Sequence, residues 1–260
     1  MNDPITALIT NDDGIDSPGL RHLAAAAVEA GLRVIVAAPA EQSSGSSAAI
    51  TAAEDEGRIL LEKREIAGLE GLPAYAVEAA PALIALMATQ KAFGEVPDLV
   101  LSGINRGANV GQVILHSGTV GAALTGSING TRAMAVSLDV PLDTEQPHWE
   151  TASALAAGLI PFLLGQPEGT TLNLNVPAGP LEPLPDYRAA SLASFGMVQT
   201  TVTQDEERHF RRSITEVTSA PDPGSDAHLL ASGYATVTAL KSVFEDPALT
   251  LSRDLPSGSK

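Results

Sequence analysis

The sequence of 260 residues predicts a doubly wound α/β fold, in which a mostly parallel sheet is flanked by helices. Two observations lead to this prediction. The first forty residues alternate strand, helix and strand, and short apolar runs recur as far as Val176 with helical or polar segments between them. Hydrophobic residues make up 44% of the chain but aromatic residues only 3%, so the core must be built from Ala, Leu, Val and Ile.

The first elements form a β-α-β unit. Residues 5–10 are a short apolar, β-branched run, and residues 32–37 are a second one. Between them, residues 20–30 are rich in Ala and favour a helix, and Gly31 stands where a helix end favours a left-handed residue. A strand, a helix and a strand spaced this closely imply a parallel pair with a right-handed crossover.

The same alternation continues to about residue 180. Further strands are predicted over residues 58–66, 74–77, 98–101, 133–138 and 171–176. Helices are predicted over residues 81–93, 117–130 and 149–164, and polar loops over residues 41–49 and 102–111. Helix 117–130 contains Gly118, Gly121 and Gly126, which weaken a helix, so we interpret them as points of close packing.

The composition changes after Pro177, since four prolines fall within nine residues. Residues 188–218 then alternate as strands do. We therefore expect a doubly wound α/β core over residues 1–180. Residues 181–260 are expected to form an extended arm that ends in a closing segment over residues 229–240.

The net charge of −16 excludes several classes of partner. It is spread evenly, because the first 130 residues hold 15 acids and 7 bases and the remainder 16 and 8, which leaves −8 in each half. Such an acidic chain is not expected to bind a nucleic-acid polymer or an anionic membrane. The absence of cysteine excludes disulfides, zinc ribbons and thiol nucleophiles.

The N-terminal residues lack the basic region and apolar core of a signal peptide. No uninterrupted apolar stretch reaches the roughly 18–20 residues that a membrane helix needs. We therefore expect a cytoplasmic protein.

Three loops that follow predicted strands contain candidate site residues. Asp12 and Asp13 follow the first strand, and they form either a cation site or a turn with one helix-capping carboxylate. The Ser-rich loop after the second strand is either a flexible polar loop or the source of a hydroxyl for a hard cation. The loop 102–111 matches neither the dinucleotide fingerprint nor a P-loop, and its Asn105 offers an amide oxygen that suits Mg²⁺, Mn²⁺ or Ca²⁺.

A fourth segment, Ser117-Gly118-Thr119, begins a predicted helix. It is either a phosphate site built on free N–H groups and hydroxyls or simple N-capping by Ser117. The neighbouring His116 either donates a proton to a leaving group or is structural. Oxygen ligands from three loops at the carboxyl edge of a sheet fit metal-assisted phosphoester hydrolysis.

At these positions the sequence resembles the SurE (survival protein E) family of metal-dependent 5'-nucleotidases, which remove phosphate from nucleoside monophosphates. The resemblance covers most of the chain, and its motifs follow the family's order. They lie at residues 9–15 with 17–19, 38–39 with 44–45, 102–111, 117–123, 173–177 and 225–226 with 233–234. The sequence departs from the family at His116, where an aromatic residue is usual, and at Thr125, where Glu is usual.

The resemblance implies that Asp12, Asp13, Ser44 and Asn105 bind one divalent metal ion, either Mg²⁺ or Mn²⁺, or Ca²⁺ in a crystal. It also implies a Rossmann-like core. The C-terminal region would be exchanged or paired between the subunits of a homodimer or homotetramer, which fits the extended arm.

The leading hypothesis is therefore a 5'-nucleotidase that converts nucleoside monophosphates to nucleoside and phosphate. Asp12 would also position or deprotonate the attacking water, while Asn109, Ser117, Gly118 and Thr119 would hold the phosphate. The alternative is a non-catalytic nucleotide or anion sensor on the same metal site. A third hypothesis is a protein whose main role is assembly through the arm.

Overall fold

The computed structural model describes residues 4–141, 144–195, 198–206, 209–216 and 221–243. Its strands are β1 (Thr6–Thr10), β2 (Arg33–Pro39), β3 (Glu54–Asp55), β4 (Arg58–Ile59), β5 (Leu61–Lys63), β6 (Ala74–Val77), β7 (Leu99–Arg106), β8 (Arg132–Asp139), β9 (Thr171–Pro177), β10 (Tyr187–Ala189), β11 (Val198–Glu206), β12 (His209–Glu216) and β13 (Ala235–Leu240). Its α-helices are α1 (Pro18–Glu29), α2 (Pro81–Thr89), α3 (Gly118–Ile128), α4 (Trp149–Leu164) and α5 (Asp226–Ala231), and a 3₁₀ helix spans Gln112–His116.

Nine strands form the main sheet, in the order β10-β13-β9-β8-β7-β1-β2-β6-β5. The six strands from β9 to β6 pair in parallel, while β5 and β13 run antiparallel to their inner neighbours. The predicted α/β class with a mostly parallel sheet is therefore confirmed. Among the described residues, no helix has the length and apolar character needed to cross a membrane.

Each face of the sheet carries its own hydrophobic core. Ile9 and Leu101 point to the face covered by α1 and α4, whereas Leu8 and Val100 point to the face covered by α2 and α3. This alternation follows from the two-residue period of a strand. Ala, Val, Leu and Ile dominate both cores, as the shortage of aromatic residues requires.

The closely packed glycines of α3 confirm the interpretation made from sequence. A Cβ added at Gly121 would collide with the backbone of Ser47 and Ala48, and one at Gly126 would lie 2.7 Å from Val100 Cγ2. The helix therefore approaches both the sheet and the loop after β2 more closely than larger residues would allow.

The structure differs from the predicted elements in three places. β7 continues to Arg106 through residues predicted as loop, because Asn105 and Arg106 pair with β8 after a register shift beyond Ser102. Gly103 lies at that shift with φ 141°, and the Gly103–Ile104 peptide is cis. The strand predicted over residues 58–66 is divided between β4 and β5, and α2 ends four residues earlier than predicted.

Two strands beyond residue 180 extend the main sheet. β10 pairs with β13, and β13 pairs with β9, so this part of the chain continues the sheet of residues 1–180. β11 and β12 form an antiparallel hairpin within the predicted strand region 188–218. Residues 244–260 lie outside the described residues, and the exchange of the arm between subunits stays a prediction.

A fully buried carboxylate ties this C-terminal part to the loop after β7. Asp226 Oδ2 accepts a hydrogen bond from Gly111 N, and its Oδ1 accepts from Ala193 N and Ala227 N, at 2.8–2.9 Å. Val110, Ala193, Ala227 and Leu230 form a small apolar cluster around it.

We expect Asp226→Ala to lower the free energy of unfolding by about 3 kcal/mol, because three buried N–H groups would lose a charged acceptor. Urea denaturation would measure the change. Glu168→Ala removes an exposed carboxylate and should shift the free energy by less than about 0.5 kcal/mol. Equal effects of the two substitutions would contradict this role of Asp226.

Candidate active site

The candidate site lies where the order of strands reverses. From β1 the chain proceeds to β2 and β6 on one side of the sheet, and then returns to β7 on the other side. The crevice outside the carboxyl ends of β1 and β7 is the position where open α/β sheets bind ligands. Asp12 and Asp13 follow β1, and Asn105 lies near the end of β7. Arg106 N donates to Asp13 Oδ2 at 3.3 Å, which joins the two sides.

The turn after β1 is built by Asn11. Its Nδ2 donates to Gly14 O at 3.0 Å and to Ser17 Oγ at 2.6 Å, and its Oδ1 accepts from Gly14 N at 3.1 Å. Gly14 has φ 98°, which favours glycine. Ser17 caps α1 by accepting from Leu20 N at 3.3 Å. The expected turn is therefore present, but the alternative in which Asp12 or Asp13 caps the helix is wrong.

Asp12 is a buried carboxylate, with 7% of its surface exposed. Its Oδ1 accepts a hydrogen bond of 2.5 Å from Thr119 Oγ1 on α3. Burial raises the pKa of Asp12 to about 6, and nearby Asp13 adds to the shift although the bond from Thr119 opposes it. No Lys or Arg among the described residues forms an ion pair with Asp12, so the charge of its ionised form has no protein counterion.

Asp13 is half-buried beside Asp12. Its Oδ1 accepts from Gln42 Nε2 at 3.3 Å, so this carboxylate lies between the loop after β2 and the end of β7. Burial raises the pKa of Asp13 too, and the contact with Arg106 limits the increase. Two adjacent carboxylates with raised pKa values are an arrangement that a bound cation would stabilise.

Ser44 is exposed, but residues on both sides of it contact the candidate site. Ser43 N donates to Asp12 O at 2.7 Å. Ser46 Oγ is buried without a hydrogen-bond partner in the described part of the chain, and it lies against Gly118 next to Asp12. The structure thus brings the Ser-rich loop to Asp12, as predicted, while no described contact ties the Ser44 hydroxyl itself to the site.

Asn105 is oriented by a local bond, since its Nδ2 donates to Gly107 O at 2.7 Å. That bond leaves Oδ1 as the atom able to bind a cation. The ligands predicted from the sequence are two carboxylates, one amide oxygen and one hydroxyl. Among the described residues, no group of three or more His, Cys, Asp or Glu side chains is placed to hold a metal ion. Such a set of hard oxygen donors fits Mg²⁺, Mn²⁺ or Ca²⁺ and not zinc.

Of the two interpretations made for Ser117-Gly118-Thr119, the structure confirms the N-cap, and the phosphate site stays a prediction. Ser117 Oγ caps the helix by accepting from Val120 N at 3.2 Å, so this hydroxyl has a structural bond. A Cβ added at Gly118 would lie 2.9 Å from Asp12 Oδ2, so the helix N-terminus lies directly beside that carboxylate. The positive end of the helix dipole and its N–H groups favour an anion at this point.

Asn109 is held by residues to which the sequence analysis assigned no role. Its N donates to Asn175 Oδ1 at 2.7 Å, and its carbonyl accepts from Asn173 Nδ2 and Asn175 Nδ2, both at 2.8 Å. Its own Nδ2 donates to Ser137 Oγ at 2.9 Å. The signal was present in the sequence, because two asparagines two residues apart on a strand must share a face.

His116 is exposed at the end of the 3₁₀ helix. Its neighbour Leu115 is fixed through its carbonyl, which accepts from Ser47 Oγ at 2.5 Å. No contact in the described residues connects the imidazole to Asp12 or Asp13, so its predicted role as proton donor gains no support from the geometry.

A family model described as survival protein SurE matches residues 7–201. The chain belongs to the SurE family. The resemblance inferred from the motifs is therefore confirmed, and the match spans both the crevice and the loops around it.

Curated SurE relatives match over most of their own length. The 5'-nucleotidase SurE of Dehalococcoides mccartyi is 32% identical over 94% of this chain and 92% of its own. The corresponding protein of Symbiobacterium thermophilum is 43% identical over 71% of each chain, and the 5'/3'-nucleotidase SurE of Edwardsiella ictaluri is 35% identical over 90% and 89%. The crystal structure of the SurE protein from Aquifex aeolicus superposes with a TM-score of 0.73, at 29% identity over 91% and 93% of the two chains.

The buried charge of Asp12 predicts how the free energy of unfolding of the metal-free protein depends on pH. The pKa rises from 3.8 to about 6 on folding, so the folded state binds more protons between these values and its stability falls as the pH rises through them. In the presence of a chelator, Asp12→Asn should therefore be more stable than the native protein by about 1–3 kcal/mol at pH 8, and the difference should shrink at pH 5.

Urea denaturation at the two pH values would measure this difference, with Asp16→Asn as the control because Asp16 is exposed. Added Mn²⁺ should stabilise the native protein and leave Asp12→Asn unchanged. An Asp12→Asn protein that is less stable than the native one at pH 8 in chelator would refute the unpaired buried charge.

We expect Gly118→Ala to weaken Mn²⁺ binding by at least about tenfold, because the new methyl group would displace Asp12 and Ser46. Calorimetric titration would measure the affinity. Gly179→Ala is the matched control, since an added Cβ there meets no atom within 4 Å. Undiminished Mn²⁺ affinity in Gly118→Ala would argue against a metal site at Asp12.

Proposed function

We propose that this protein is a divalent-metal-dependent nucleotidase that hydrolyses the 5'-phosphomonoester of nucleoside monophosphates to nucleoside and phosphate. The observation that carries the proposal is the position of Asp12 at the N-terminus of α3, where this carboxylate is buried and no described Lys or Arg forms an ion pair with it. The buried carboxylate favours a cation and the helix N-terminus favours an anion, and a phosphomonoester with a divalent metal would provide both. The names of the curated SurE relatives support the same activity.

The proposed metal ligands are Asp12, Asp13, Ser44 and Asn105. When bound, Mg²⁺ or Mn²⁺ would polarise a phosphoryl oxygen and lower the pKa of water at the site. A cation would also offset the repulsion between a substrate phosphate and a chain of net charge −16.

The protein itself would orient the reacting groups. Thr119 occupies Asp12 Oδ1, which leaves Oδ2 to accept a hydrogen bond from the attacking water. Gly118 brings that oxygen close to the helix N-terminus, where the N–H groups of Gly118 and Thr119 and the dipole of α3 would hold the phosphate. Asn109, fixed by Asn173 and Asn175, would contact the phosphate from the other side of the crevice.

We propose that the region from residue 181 onward pairs or exchanges between copies of the chain in a homodimer or homotetramer. The exposed Phe195, just before the β11–β12 hairpin, is consistent with a partner surface there. A cytoplasmic location stays a prediction.

The decisive experiment measures phosphate release from nucleoside 5'-monophosphates with Mn²⁺ or Mg²⁺. We expect chelation to abolish the activity, and Asp12→Asn or Asn105→Ala to lower kcat/KM by at least about 100-fold. Asp16→Asn, an exposed carboxylate four residues from Asp12, should retain native activity.

Activity that survives chelation or Asp12→Asn would disprove this assignment. Calorimetric binding of a nucleoside monophosphate without any phosphate release over hours would instead favour the non-catalytic sensor.

A further inference from the structure

A groove of about 360 Å³ lies next to the candidate active site, at the carboxyl ends of β2 and β6. Residues 39–43 form one wall, and residues 51–53 and 77–80 form the other. Ala40 N donates to Val77 O, Ala53 N to Glu78 O, and Ala80 N to Thr51 O, at 2.8–3.0 Å. Because backbone bonds hold the walls together, the groove is formed before any ligand enters.

Two residues connect this groove to the metal site. Gln42 lines the groove and donates to Asp13 Oδ1 at 3.3 Å. Ser43 also lines it, and its N–H donates to Asp12 O at 2.7 Å. A phosphate held beside Asp12 and Asp13 therefore has the groove as an adjoining space for the alcohol to which it is esterified.

The lining of the groove selects the chemistry of that alcohol. Five alanines, with Pro39 and Val77, supply small apolar surfaces, and Lys, Arg and His are absent from the residues that line it. Glu41 stands exposed at one wall and Glu78 half-buried at the other, and neither forms an ion pair within the described part of the chain. Ionised carboxylates repel anions and only accept hydrogen bonds, so the groove favours an occupant that carries no negative charge and donates hydrogen bonds.

We propose that this groove is the nucleoside subsite of the enzyme and that Glu78 is a specificity-determining residue that accepts a hydrogen bond from the nucleoside. The inference rests on the proposed nucleotidase function. A nucleoside is uncharged, has flat apolar faces for the alanines, and carries donors in its ribose hydroxyls or in an exocyclic amino group. The volume lies within the range of small-molecule sites. The absence of basic side chains disfavours a second phosphate in the same space.

The test compares Glu78→Gln and Glu78→Ala with Glu65→Gln, which changes the charge equally at an exposed position outside the groove. The substrates are AMP, 2'-deoxy-AMP, IMP and p-nitrophenyl phosphate, which has no nucleoside. We expect both Glu78 variants to lower the ratio of kcat/KM for AMP to kcat/KM for p-nitrophenyl phosphate by about tenfold, mainly through KM, as loss of a hydrogen bond to a charged group predicts. Glu65→Gln should leave the ratio within twofold.

The choice of nucleotide identifies the donor. A smaller effect of Glu78→Gln on 2'-deoxy-AMP than on AMP would assign the contact to the ribose, and a smaller effect on IMP would assign it to the amino group of the base. Calorimetric titration of AMP in the presence of Mn²⁺ gives the same comparison without turnover, and we expect a Kd about tenfold higher for Glu78→Gln.

These measurements distinguish failure of the nucleoside subsite from failure of the proposed nucleotidase function. An unchanged ratio together with an unchanged Kd for AMP in the Glu78 variants would overturn the subsite and leave the nucleotidase function intact. If the native protein hydrolyses none of the four substrates, the proposed function fails, while the calorimetric comparison still decides whether Glu78 contacts the nucleoside.

Discussion

The burial of the Asp12 carboxylate is the constraint on which the rest of this site depends. The end of β1, the Ser-rich loop and the N-terminus of α3 all close around it, and no described basic side chain compensates its charge. A buried carboxylate that no described basic side chain pairs with is costly for the fold in the absence of a cation. The buried charge therefore lowers the stability of the metal-free protein, and a divalent ion bound at this position would offset that loss.

Small residues make this arrangement sterically feasible. Gly118 and Gly121 allow residues 46–48 to lie directly on α3, which carries the Ser-rich loop to Asp12. Glycine in a helix lowers stability by roughly 1 kcal/mol relative to alanine. The helix therefore loses some stability at these positions, but the Ser-rich loop can pack directly against it. Gly19 likewise allows α1 to pack closely against the backbone of Ile104, near the end of β7.

The two sides of the crevice are held by different means. On the β1 side, Asn11 organises the turn that presents Asp12 and Asp13. On the β7 side, Asn173 and Asn175 hold the loop through Asn109, and Asp226 holds it through Gly111. The groove adjoins the first side, and because two Glu but no basic side chain line it, it would disfavour a second anion. Under the proposed function, this charge distribution would separate a position for the phosphate from a position for its alcohol.

The sequence by itself determined the α/β class, most of the helices and strands up to residue 177, the SurE motifs and the small-residue packing of α3. These follow from local periodicity, from turn residues such as Asn11 and Gly14, and from residue size, all of which act over short stretches of chain. The tertiary structure decided what depends on residues far apart in sequence. β7 extends through Asn105 because β8 offers partners, Ser117 and Thr119 are committed to a cap and to Asp12, and Asn173 and Asn175 support Asn109. These hydrogen bonds fix the orientation of the side chains, and they form only when distant segments meet at one edge of the sheet. The same is true of the groove beside Asp13.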